Sequence, residues 1–314
     1  MRVLVTGASG FVGRHLVPSL LEHGHEVHTL TRAPSLLEKY SWAARITCHE
    51  GDLLNEQSLQ AACLGCDVVI HLASLAHITN TKEEDHWNIS YIGSENLLRA
   101  CVQNQVSHFV FISSIKASDD KQASAYAQVK RSFELRLQGA AQKGEIQATI
   151  LRPAVVYGAG MKGNLASWIA KVLTGSAPGL PKNSSSISMI SVDDLAQAIA
   201  CSLNSSTQNK GPFTIHDGQH YSMAELEEQI YQACQRKGPS IRLPRWCWWL
   251  AGKIGDFGFA LTGRSIGFSS YSYDTLFGED DRPDNNFAEA TGFIAKQRFS
   301  DQLPMIVEEL KKNH

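Results

Sequence analysis

From residue 2 to about 152, short runs of apolar residues alternate with longer stretches whose apolar positions recur every three or four residues. The runs RVLVT, EVHTL, RITCH, DVVIHL, HFVFIS and IQATIL are short and almost continuously apolar, which predicts strands buried on both faces. The stretches between them, near 11–23, 55–63, 84–104 and 122–143, predict helices long enough to carry the chain back across a sheet. Strand and helix in alternation predict an α/β fold with a doubly wound parallel sheet of the Rossmann type.

After Arg152 and Pro153 the pattern loosens. VVYGAGMKGN reads as a loop, SISMISV and PFTIHDG as further strands, and 222–236 as a helix. The predicted division is a dinucleotide-binding domain over 1–152, joined by returning segments about 187–216. A smaller, mostly C-terminal substrate-binding region takes about 153–186 and 217–314. GLPKNSSS and GEDDRPDNN are polar loops. The longest apolar stretch, Trp246 to Leu261, is too short to span a bilayer and is interrupted by Lys253 and Asp256, so no integral membrane segment is expected. It reads as a packed helix with a partly exposed aromatic face.

Composition narrows the partner. Lys and Arg number 29 against 31 Asp and Glu, so no basic excess points to nucleic acid, and a small molecule is the expected ligand. Seven cysteines, an odd number, follow an opening (MRVLVTGASG) that enters a strand at once without a secretory leader, which predicts a reducing cytoplasm. Cys63 and Cys66 have the spacing of half a zinc site, but no second pair follows, and no metal is expected.

The first predicted strand runs directly into Gly7-Ala-Ser-Gly10-Phe-Val-Gly13 and then into a helix. In that context Gly7 permits the tight turn, Gly10 lets a pyrophosphate approach the backbone, and Gly13 lets helix and strand pack closely. The positive helix end then faces the phosphates. At the end of the second strand an acidic residue would select NAD(H) by binding the ribose 2′-hydroxyl. Thr31-Arg32 stands there instead, and a guanidinium suits a 2′-phosphate, so NADP(H) is expected, helped by Arg14, with NAD(H) the alternative. Asp52, after the third strand, either accepts from the adenine amino group or caps a helix.

Tyr126 and Lys130 lie four residues apart, on one face of a helix. A neighbouring cation stabilises the phenolate and brings a tyrosine toward useful acid-base range. Ser114 ends the fifth strand, twelve residues earlier, at the sheet edge where open α/β folds bind ligands. Ser114 could hydrogen-bond a reacting oxygen, Tyr126 move its proton, and Lys130 supply the cation and hold the nicotinamide ribose. Asn88 is a candidate for positioning the next helix or a water.

These residues resemble the extended short-chain dehydrogenase/reductase family, in its NAD-dependent epimerase/dehydratase branch acting on nucleotide-activated sugars. The likeness rests on Thr6 to Gly13, DVVIHLAS, NISYIGSENLL, FISSIK, YAQVK, LRPAVVYGAGMKGN, VDDLAQAI and ATGF, and covers nearly the whole chain. It implies that Ser9, Phe11, Val12, Leu53, Leu72, Ala73, Ser74 and Pro153 join the cofactor site. It implies substrate phosphate contacts at Lys162 and Asn164, and homodimerisation through the helices at 84–104 and 122–143. SSIK and VYGAGMKGN are most similar to bacterial enzymes that epimerise or reduce at C4 of UDP-N-acetylhexosamines or their 4-keto derivatives.

Three departures bear on specificity. Dehydratases of the branch carry an Asp-Glu pair after the catalytic Ser or Thr, and here Ile115 and Lys116 follow Ser114, which disfavours dehydration. The segment between Ser114 and Tyr126 is shorter than the family's usual loop. Ile187 stands where related enzymes place a diphosphate-binding arginine, and a second such arginine falls near Asp281, beside Arg282. The expected function is therefore reduction or epimerisation at C4 of a UDP-sugar. A reductase of a bulky non-sugar ketone and an NADP(H)-sensing protein without turnover are the alternatives.

Overall fold

In the computed structural model, successive side chains of the first strand, β1 (Arg2–Thr6), enter two different cores. Val3 and Val5 pack with Leu16, Val17, Leu195 and Ile199, whereas Leu4 packs with Leu59, Val69, Phe109 and Phe133. A strand covered on both faces has no polar side, which is why its sequence shows no alternation. The structure describes residues 1–74, 86–118, 125–181, 186–203, 207–239, 241–262 and 286–312, with 268–270, 273, 277 and 284 between them.

Seven parallel strands form the main sheet in the order β3-β2-β1-β4-β5-β6-β9. They are β1, β2 (Glu26–Thr31), β3 (Thr47–Glu50), β4 (Val68–His71), β5 (His108–Ile112), β6 (Gln147–Pro153) and β9 (Phe213–Ile215). All six strands predicted before residue 152 are present, and the fold is the expected doubly wound α/β sheet. Helices α1 (Gly13–Glu22), α2 (Glu56–Cys63), α3 (Gly93–Gln103) and α4 (Ala125–Gln142) occupy the predicted crossovers. His86–Ile92 winds as a π-helix leading into α3. The strand order reverses between β1 and β4, and such a switch point opens a crevice at the carboxyl ends of the strands.

A second sheet, β10-β8-β7, consists of β7 (Val155–Tyr157), β8 (Ser186–Ser191) and β10 (His220–Ser222). It packs with α5 (Asn164–Thr174), α7 (Met223–Ala233), α8 (Arg245–Thr262) and α10 (Phe299–Lys312) around Tyr157, Trp168, Leu180 and Phe299. The segment expected to be all loop after Pro153 thus contributes β7, whose three residues pair in register with Met189–Ser191 of β8. Of the two strands expected to return, β9 joins the large sheet and β8 runs in the small one. Helix α6 (Val192–Cys201) follows β8 directly, with the Ser191 hydroxyl accepting from the Asp194 amide.

The Cys63 and Cys66 side chains point into the core, where the Cys66 thiol donates to the Ala62 carbonyl and burial pushes it up to about 11. Among the described residues no three or more His, Cys, Asp or Glu gather as metal ligands. No helix among them is long and apolar enough to cross a membrane.

Candidate active site

The chain leaves β1 through Gly7 at φ +79°, a conformation that L side chains rarely adopt. The Gly10 amide donates to the Gly7 carbonyl at 2.9 Å, closing the turn. A Cβ on Gly13 would lie 2.3 Å from that same carbonyl oxygen, and a Cβ on Gly7 would lie 2.8 Å from the Ala73 amide nitrogen. At Gly7 and Gly13 the loop therefore accepts only bare backbone, pressed against the end of β4 and the Gly7–Ala8 turn. The α1 cap residue, Val12, makes no side-chain bond to the first turn, which leaves the helix's partial positive charge for an anion. Glycine cradle, helix end and switch point together fit a dinucleotide pyrophosphate.

Ser9, Phe11 and Val12 are half-buried along this loop. Arg14 is not held at the adenosine end: its guanidinium donates to the Ala159 carbonyl and lies 5.5 Å from the Phe11 ring centroid. Gly160 makes room for it, because a Cβ there would overlap the guanidinium. One side chain thus ties the phosphate loop to the loop that follows β7.

Arg32 follows β2 with its side chain 74% exposed, its Nε 3.8 Å from a carboxylate oxygen of Asp52. The other Asp52 oxygen accepts from the Leu54 amide at 2.8 Å, a local turn rather than a helix cap. The cap of α2 is Asn55, whose side chain accepts from the Ser58 amide. The Leu53 carbonyl accepts from the Asn96 side chain at 3.2 Å, which fixes this loop against α3.

At the end of β4 the Leu72 amide donates to the Thr6 carbonyl at 3.1 Å and the Ala73 amide to the Thr6 hydroxyl at 3.4 Å. Behind them sits His71, fully buried, Nδ1 2.7 Å from Thr6 Oγ1 and Nε2 2.8 Å from Ser94 Oγ. Ser94 donates to the Ser90 carbonyl, so its oxygen accepts from His71 Nε2–H, and His71 Nδ1 accepts from Thr6. Every member of this chain is satisfied, and it locks the end of β1 to the start of α3. Sequence reasoning did not find it. Ser74 Oγ and Ser113 Oγ, by contrast, are buried without a hydrogen-bond partner among the described residues. Both stand at the carboxyl edge of the sheet, where a ligand could satisfy them.

Tyr126 and Lys130 lie in the first two turns of α4. Lys130 is buried; its ammonium donates to the Ile112 carbonyl at 2.7 Å and sits 4.6 Å from the Phe111 ring centroid and 5.9 Å from that of Tyr126. Helix α4 is thereby pinned to the last residue of β5, two residues before Ser114. Ser114 is half-buried, and its hydroxyl accepts from the Lys116 amide at 3.3 Å. Loss of water pulls the Lys130 ammonium down to about 7, with the Glu134 carboxylate opposing the fall. Glu134 is itself fully buried and accepts from Arg152 with both oxygens, at 2.9 and 2.5 Å, and from Arg131 at 3.3 Å. One sequence signal for this pair was available, since Glu134 lies one further turn along the face that carries Tyr126 and Lys130. Pro153, next to Arg152, is buried at the end of β6.

Lys162 is exposed, and Asn164 is the first residue of α5, preceded by Gly163 at φ +97°. The side chain of Asn88, residues 84–85, 119–124 and 281–282, and hence Arg282, lie outside the described residues.

The sequence profile of the NAD-dependent epimerase/dehydratase family matches residues 3–216. A UDP-glucose 4-epimerase of Vibrio cholerae is 28% identical over 306 residues, covering 87% of this chain and 89% of its own length. A 3-beta-hydroxysteroid dehydrogenase of Mycolicibacterium neoaurum is 30% identical over 77% of this chain and 72% of its own. The UDP-glucose 4-epimerase of Thermotoga maritima, solved with UDP-glucose, superposes with a TM-score of 0.74 at 22% identity, covering all of this chain and 99% of the other. That of Thermus thermophilus, solved with NAD, gives 0.69 at 22% identity and covers 99% of both chains.

Proposed function

The chain belongs to the NAD-dependent epimerase/dehydratase family, and on that premise we propose that it reduces or epimerises C4 of a UDP-hexosamine-type sugar, with NADP(H) as its preferred cofactor. It is an oxidoreductase of the short-chain dehydrogenase/reductase type. The observation that carries the reading is the anchoring of Lys130 to the Ile112 carbonyl, which brings the Tyr126 helix against the end of β5, two residues before Ser114.

Gly7, Gly10 and Gly13 would hold the pyrophosphate, Arg32 the 2′-phosphate, and Leu72, Ala73, Ser74 and Pro153 the nicotinamide half. The bound nicotinamide supplies or accepts the hydride. Ser114 holds the C4 oxygen by a hydrogen bond. Tyr126 gives that oxygen its proton in reduction and takes it in oxidation, and the Lys130 ammonium stabilises the phenolate left behind. Lys162 and Asn164, the first residue of α5, would receive the sugar's phosphates. The proposed division of labour puts the cofactor on the large sheet and the sugar against the small one. Trp87, Ile92 and Leu135, exposed on the π-helix and α4, favour a homodimer across that face.

Titration with NADPH and NADH, repeated with UDP present, tests cofactor and substrate together. NADPH is expected to bind at least about tenfold tighter, a difference that one charge-assisted contact from Arg32 supplies. Arg32→Ala is expected to remove the difference, and UDP to change NADPH affinity. Tyr126→Phe is expected to leave cofactor binding intact and to lower turnover by about 100-fold or more. If NADH binds tighter, the role of Arg32 is wrong. If NADPH binds and UDP has no effect, a non-sugar ketone is the substrate. That second reading is favoured by Ile187 in place of an arginine and by the likeness to a hydroxysteroid dehydrogenase.

A further inference from the structure

Helix α8 is amphipathic in an inverted sense. Its inner side packs Trp248 against Phe268 and Phe277, and Gly252 and Gly255 let the 268–270 backbone approach closely. The outer side carries Trp246, Trp249, Leu250, Ile254 and Phe257, with Trp246, Ile254 and Phe257 each more than 60% exposed. At 100° per residue these five side chains and Lys253 share one arc of about 140°. A soluble helix normally presents its polar stripe on this side.

Apart from Asp256, whose carboxylate accepts from the Ser270 amide, the charge along the helix and the segment leading into it is positive. From Gln229 to Gly255 there is no Asp or Glu, while Arg236, Lys237, Arg242, Arg245 and Lys253 supply five cations, in a chain whose formal net charge is −2. All five are exposed. Among the described residues only Arg242 is paired with a carboxylate, that of Glu227; Arg236 and Arg245 donate to neutral oxygens and keep their charge. The cores of protein interfaces are depleted of lysine and carry hydrogen-bonding groups, whereas this stripe has Lys253 at its centre and offers, besides it, only indole N–H donors. Tryptophans with phenylalanine and isoleucine, edged by cations, are the composition of a helix that lies in a lipid headgroup layer.

We infer that α8 is an in-plane anchor that docks the substrate-binding side of the protein on an anionic phospholipid surface. The apolar stripe enters the boundary between headgroups and acyl chains, and Lys253 with the cations of 236–245 meets lipid phosphates. The proposed dimer face, on the π-helix and α4, includes no residue of α8.

Sedimentation of the full chain with vesicles of phosphatidylcholine alone, or of phosphatidylcholine with phosphatidylglycerol, tests this. The protein is expected to pellet with the anionic vesicles and to be released by high salt, as a cationic contribution requires. Trp246→Glu/Phe257→Glu is expected to lower the bound fraction by at least about tenfold, because two charges must enter the boundary, while Tm and NADPH binding stay unchanged. Protein that remains in the supernatant with anionic vesicles, or a double variant that binds as well as the parent, overturns the inference. Equal binding to both vesicle types overturns the choice of an anionic surface. Failure to pellet, together with a parent oligomer that the double variant dissociates on size exclusion, assigns the stripe to a second copy of the chain and likewise overturns it.

Discussion

His71 and His108 are histidines kept neutral by burial. Loss of water holds His71 down to about 3, with the Lys130 charge adding to the effect, and holds His108 down to about 4. An unfolded chain would protonate both near the ordinary histidine value of about 6.5. Between those limits the unfolded state binds more protons, so stability is full above about pH 6.5 and falls as pH drops toward 4 and 3. Urea midpoints are expected to decline from pH 7 to pH 5, and His108→Gln, which can still reach Thr149, to flatten the slope by up to about 1.4 kcal/mol per pH unit. Parallel slopes for parent and variant would sink the assignment to His108. At this scale the sequence discloses what is local. Tyr126 and Lys130 share a helix face and could be read directly, whereas Thr6 and His71 are 65 residues apart, and Arg14 and Ala159 are 145 apart. Nothing in their neighbours announces either contact.

Helix α4 and strand β6 are joined by a buried charge pair, Glu134 with Arg152, directly behind the Tyr126 helix turn. Removing one partner leaves a charge stranded in the core, which typically costs about 3–5 kcal/mol. Arg152→Met and Glu134→Gln are each expected to lower Tm sharply, and the double change to regain most of the loss. If the double variant is as unstable as the sum of the single ones, the pair is not the cause. The six leading strands were legible because burial on both faces leaves an unbroken apolar run. Strands β7 and β10, three residues each, are too short for any period to show. Helix α5 was missed because Gly163 stands at its cap in place of Ser, Thr or Asp, and its first residues read as part of a loop. Helix α7 was found, its boundary sharpened by the reciprocal bonds between Ser222 and Glu225.

Across the whole molecule the chain passes repeatedly between the two sheets. It leaves the large sheet after Pro153, returns through α6 and β9, and departs again to β10. It comes back once more at α9 (Asn286–Thr291), where Phe287 joins the core of Val3, Val5 and Leu16 and the Asn286 side chain donates to the Pro212 carbonyl through Nδ2. Leu195, Ile199, Phe213 and Ile215 belong to that same core. A fragment covering 1–157 therefore lacks one wall of its own interior. It is expected to show no cooperative thermal transition and no NADPH binding; a sharp melt from that fragment would refute the argument.

The return paths also constrain how this protein could change over generations. A chain whose second half were a detachable cassette could acquire a new substrate in one recombination event. Here a crossover after residue 153 would also exchange the lining of the cofactor half, so a hybrid inherits mismatched interiors. Single substitutions that leave this shared interior alone are expected to be the path of change, with the stitched framework handed down whole.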